Sequence, residues 1–89
     1  MRHDLKCWPE PFEAICQEMK RHEYRKDDRA YQMGDELLLR EWDPESGQYL
    51  GDEALCRVTY IGRGPAFGIP EGHAVMSIVL VSIGRKPSR

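Results

Sequence analysis

The chain has 89 residues, 40% hydrophobic and 31% charged, a composition that excludes a disordered segment and leaves room for one small core. A net charge of −2 excludes a global basic field, so any contact with a polyanion must be local. Three cysteines without CxxC spacing, histidines without ligand spacing, no secretory segment and no apolar run of bilayer length lead to the expectation of a soluble, cytoplasmic protein with reduced thiols, no metal, no cofactor and no membrane partner.

His3 to Trp8 reads as a first strand, with Leu5 and Cys7 facing one way and Lys6 and Trp8 the other. Pro9 ends it and, with Pro11, suits the first turn of a helix, where backbone N–H groups have no intrahelical partner to lose. Glu10 and Glu13 complement the positive end of that helix. Phe12, Ile15, Cys16 and Met19 follow at i, i+3, i+4 and i+7, which predicts an apolar stripe over about three turns.

Beyond Met19 the helical period fails, and His22 to Lys26 reads as a short strand ended by Asp27-Asp28. Gly34 supplies a positive φ before a strand from Glu36 to Trp42, with Leu37 and Leu39 on one face. Asp43 to Gly47, extended by Gly51-Asp52, predicts a hairpin with a loose tip and a return strand from about Glu53 to Ile61. Gly62 to Gly68 has the glycine count of a phosphate cradle without the spacing, and reads as a flexible rim loop. His73 to Ile83 is apolar on both faces, as a central strand or the closing strand of a barrel would be. Residues 1–84 form a single domain on this reading, and residues 85–89 a flexible basic tail.

The cations concentrate between Lys20 and Arg29, with Glu23 among them. Strand alternation puts Glu23 and Arg25 on one face, and Lys20, arriving from the helix, completes a charged triplet at the strand's mouth. A solvated ion-pair network is the bland account of such a triplet and contributes only ~0–1 kcal/mol. In a concavity the same groups bind phosphate or polarise a base, with Arg25 as a bidentate donor and Lys20 as a point charge. Trp8 and Tyr24 are both candidates to stack on a nucleobase. Trp8 lies beside the helix start, whereas Tyr24, alternating away from Glu23 and Arg25, reads more readily as core. Tyr60 and Phe67 read as packed, with cover over a ligand the other role open to Phe67 in its glycine-rich rim. Arg29 either pairs with Asp28 or contacts ligand, and His3 either bonds inside the cleft or caps the sheet edge.

The order of strand, Pro-initiated helix, charged strand, Gly-Asp pair, long hairpin and apolar final strand resembles the ASCH domains of the PUA-like superfamily. The Gly-x-Lys-x-x-Glu-x-Arg pattern of those domains is matched here by Lys20, Glu23 and Arg25, with Glu18 in place of the glycine, and Gly34-Asp35 matches a following Gly-Asp pair. His3, Leu5, Lys6, Pro9, Phe12, Ile15, Asp28, Arg29 and Val58-Thr59-Tyr60-Ile61 extend the likeness to a small branch called domain of unknown function 3850.

The resemblance implies an α+β, mainly β fold, a five-stranded mixed β-barrel with one main helix packed at its mouth. It also implies a cleft beside that helix lined by Lys20, Glu23 and Arg25, with Arg29, Trp8, Lys6 and His3 as further ligand-binding residues. RNA or a nucleotide is the expected partner. An amidohydrolase acting on an acylated nucleoside is the alternative, with Lys20 and Glu23 as catalytic residues, although the relatives of that kind carry a threonine where this chain has Glu23. A third reading is a protein-interaction module using the acidic hairpin tip Asp43–Glu53. Whether the protein is an enzyme stays open at this stage.

Overall fold

A computed structural model describes residues 1–87. Strand β1 (Arg2–Cys7) alternates outward Arg2, Asp4 and Lys6 with buried His3, Leu5 and Cys7. Trp8, in an extended conformation, hands the chain to helix α1 (Pro9–Cys16), and its carbonyl accepts the first helical hydrogen bond from the Phe12 N–H at 2.9 Å. Pro9 opens the helix where its missing donor costs nothing, and Phe12 and Ile15 bury the inward face.

The helix stops after eight residues, about a turn short of the expected length. Glu18 adopts a left-handed φ of 58°, and the N–H groups of Met19 and Lys20 both turn back to the Ala14 carbonyl, at 2.9 and 3.0 Å. Met19, placed on the apolar stripe by its spacing, is therefore 79% exposed.

Four further strands follow: β2 (His22–Lys26), β3 (Glu36–Asp43), β4 (Gln48–Arg63) and β5 (His73–Gly84). They form one sheet in the order β1-β3-β4-β5-β2, with β1 parallel to β3 and every other neighbouring pair antiparallel. This mixed sheet curls into a half-barrel, so the expected mainly β fold is present with the barrel left open between β1 and β2. Leu5, Leu37, Leu39, Cys56, Val58 and Met76 supply the core from the strands, and Phe12 and Ile15 from the helix close over it. Tyr31, from the β2–β3 connection, completes that cluster.

The hairpin is tighter than its loop composition suggests. Pairing between β3 and β4 persists to Asp43 opposite Gln48, leaving residues 44–47 as the tip, and β4 runs on to Arg63 through Gly62. Asp43 holds that tip with its side chain, accepting from the Glu45 N–H at 3.0 Å, and with its carbonyl, accepting from the Gly47 N–H at 2.8 Å. At Gly64 only glycine fits, because a Cβ would lie 1.8 Å from the Pro70 carbonyl oxygen.

Tyr60 and Phe67 are both exposed and do not join the core expected of them. Strand β5 lies between β4 and β2, but β2 flanks it only from His73 to Ser77; beyond that point Val79, Val81 and Ile83 are exposed. Its two-sided apolarity thus belongs to a strand one place in from the sheet edge. Arg85 and Lys86, at the start of the expected flexible tail, are engaged: the Arg85 guanidinium donates to Glu13 at 2.7 Å and to buried Asp52 at 2.9 Å, and the Lys86 N–H donates to Asp52 at 2.7 Å. Ser88 and Arg89, the end of that tail, lie outside the described residues.

Candidate functional site: a cationic cleft at the open seam

Because β1 and β2 are the two edges of the sheet, the space between them is an open cleft, of about 540 Å³, bordered by Pro11 at the start of α1. Lys6, Cys7 and Trp8 form one bank; Lys20 and the strand residues His22, Glu23, Tyr24, Arg25 and Lys26 form the other, with His73 beside them. Glu23 sits opposite buried Met76 in the β2–β5 ladder, and alternation turns it inward, where it is 6% exposed.

Burial of that carboxylate is made tolerable by its partners. The Lys20 ammonium donates to Oε1 at 3.0 Å and Arg25 Nε donates to Oε2 at 2.7 Å. Lys20 reaches this position because the left-handed turn at Glu18 ends the helix early, and its ammonium also donates to the His22 carbonyl at 2.6 Å. Arg25 extends past Glu23 to the far bank, where Nη2 donates to the Lys6 carbonyl at 2.5 Å. The two cations keep 24% and 26% of their side-chain surface in water, so the network is neither fully solvated nor closed to a ligand.

Of the seven residues singled out from the sequence, Lys6, Trp8, Lys20, Glu23 and Arg25 border this cleft. Arg29 lies in an adjoining hollow of about 220 Å³ with Leu5, Asp28 and Tyr31, and donates to the Asp4 carbonyl at 3.1 Å. His3 is elsewhere: it is buried, its Nε2 is 2.8 Å from Asp35 Oδ2, and its ring meets Tyr31 edge-on at 4.7 Å. The His3 hydrogen bond is the principal reason the Asp35 carboxyl is held below the usual carboxylate range; the Gln32 N–H assists at 3.0 Å.

Tyr24 corrects the sequence reading. Instead of lying in the core it is 49% exposed, borders the cleft, and stacks on the His73 ring with centroids 5.5 Å apart and planes 13° apart. His22, Lys26 and His73 also border the cleft, beyond the residues that the sequence singles out. Tyr24, His22 and Lys26 alternate with Glu23 and Arg25, and the usable signal was that an edge strand at an open mouth presents both faces to the same space.

Chemically, the cleft offers cations and rings. Among the described residues, four cations, Lys6, Lys20, Arg25 and Lys26, accompany the carboxylate of Glu23. The Lys6 ammonium lies 4.6 Å from the centre of the Trp42 ring, whereas the Lys26 ammonium has no ion pair or hydrogen bond among the described residues. Trp8 is 57% exposed at the lip. Among the described residues no serine or threonine borders the space, and burial, reinforced by the charge of Glu23, pushes the Cys7 thiol up to about 12, which disfavours its thiolate. Among the described residues no group of three or more His, Cys, Asp or Glu is placed to hold a metal ion, and no helix is long and apolar enough to cross a membrane.

Fold and cleft together define a small half-barrel domain with a cationic, aromatic seam. The chain belongs to the family described as a domain of unknown function (DUF3850), whose family model matches residues 2–78. It is also similar to a protein of Escherichia phage P2 described as an uncharacterised 12.9 kDa protein in the GpA 3′ region. Identity is 37% over 57 residues, covering 64% of this chain and 50% of the phage protein, so the chain spans about half the length of that relative.

Proposed function

We propose that the seam cleft binds RNA or a nucleotide through its phosphate and base together. The supporting observation is the mismatch between local and global charge: the cleft walls carry four cations against one carboxylate in a chain of net charge −2, and exposed Trp8 and Tyr24 stand among them. Anions are drawn to such a spot, and flat rings favour anions that carry a base. Its volume of about 540 Å³ falls within the usual range for small-molecule sites.

Hydrolysis of an acylated nucleoside would have Glu23 take up a proton while each of its oxygens accepts from a cation. Binding needs no proton transfer.

Equilibrium titrations with nucleotides and short RNAs at low salt test this reading. Affinity should fall as salt rises, and Lys26→Ala, which removes no side-chain hydrogen bond or ion pair among the described residues, should weaken binding and flatten the salt slope. Absence of affinity for every nucleotide and RNA tried at low salt would overturn it.

A further inference from the structure

Two exposed rings of the cleft, those of Trp8 and Tyr24, belong to separate elements on opposite sides of the seam. Trp8 directly follows β1, while Tyr24 is carried by β2, the other edge of the sheet. The Arg25 side chain bridges the two banks: it starts on β2, donates to Glu23 and ends on the carbonyl of Lys6 in β1. A guanidinium has five N–H donors, so Arg25 retains donors beyond those two bonds, and the Lys20 ammonium likewise has three donors of which two are engaged. The cleft therefore presents a ring on each bank and a cationic centre that bridges the banks.

Resting on the nucleotide-binding reading above, we infer that the cleft takes a single-stranded dinucleotide step, with one base on Trp8, the next on Tyr24, and the linking phosphate on the Arg25–Lys20 centre. A mononucleotide engages one ring only, because the rings stand on different banks. Tyr24 is already ordered by its stack on His73, so a base laid on it extends an existing pile of rings without having to immobilise the side chain. Duplex nucleic acid is excluded by the same geometry, since its bases are stacked on each other and unavailable to side-chain rings.

Calorimetric titration of adenosine 5′-monophosphate against adenylyl-(3′→5′)-adenosine distinguishes the two-ring step from simple charge attraction. The monophosphate carries roughly two negative charges near neutrality and the dinucleoside only its single linking phosphate. Attraction by charge alone favours the monophosphate; the two-ring step favours the dinucleoside, by about tenfold or more. Trp8→Ala and Tyr24→Ala should each reduce dinucleoside affinity to about that of the monophosphate, whereas Trp8→Phe and Tyr24→Phe should retain most of it. Both positions are about half exposed, so thermal unfolding of these variants should stay close to that of the parent chain. Equal affinity for the two ligands, or alanine variants that bind the dinucleoside unchanged, would overturn the dinucleotide step while leaving the cleft as a nucleotide site. Failure of both ligands to bind would remove both readings.

Discussion

Glu18 holds a conformation that an L-residue adopts at a cost of about 1–2 kcal/mol, with φ at 58° and no glycine to relieve it. That turn aims Lys20 at Glu23, so the residue that strains the backbone also sets the charged centre. Glu18→Gly should raise the urea midpoint, by up to about 1 kcal/mol in stability once the greater freedom of unfolded glycine is subtracted. A lowered midpoint would show that the Glu18 side chain contributes more than its backbone costs.

Asp35 carries the clearest pH signature. Its folded-state pKa is depressed, chiefly by the His3 hydrogen bond, so its stabilising contribution is present above the ordinary carboxylate range and is lost as pH falls through the lowered value. Denaturant midpoints taken from about pH 7 down to about pH 2 should fall for the parent chain and fall less for Asp35→Asn, the two curves converging at the acid end. Parallel curves would mean that the His3–Asp35 pair does not control acid unfolding.

Among the elements, those bounded by local chemistry were legible. The limits of β2 at His22 and Lys26 agree with the sequence, because loss of helical period on one side and Asp27-Asp28 on the other are both local signals. The start of β3 at Glu36, after Gly34 at φ 90°, agrees for the same reason. Helix α1 is shorter than its spacing predicts because Glu18, standing where the resembling pattern has glycine, takes a left-handed φ that its own side chain does not announce. Tyr24 was assigned to the wrong side although its alternation with Glu23 was read correctly. In a half-barrel the ion-paired carboxylate faces inward and the aromatic ring outward, and only the strand order reveals which face of β2 is which. The hairpin tip fails in the opposite direction: Gly51 and Asp52 look like loop, yet they lie inside β4, where Asp52 is buried against Arg85 and Lys86.

At the scale of the whole molecule, the Lys-Glu-Arg centre was visible in sequence because its members lie within six positions of one another, and the seam that contains it was not. Which two strands remain unpaired is a long-range outcome of the order β1-β3-β4-β5-β2. Across that gap Arg25 donates to the Lys6 carbonyl and Arg29 to the Asp4 carbonyl, two alternate residues of β1. Arg29→Ala should cost about 1 kcal/mol, as loss of one charged hydrogen bond at a partly wet site does, and should speed amide hydrogen exchange in β1 more than in β4. Uniform exchange rates in both strands after the substitution would argue against a clasp.

An unpaired strand border solicits strands from other molecules, and most β proteins blunt it with charge, brevity or a covering segment. Here guanidinium groups already occupy the carbonyls that a visiting strand would need on β1. These two arginines, one in the cleft and one in the hollow beside it, therefore act as wardens of the border, denying other chains the template from which fibrils grow.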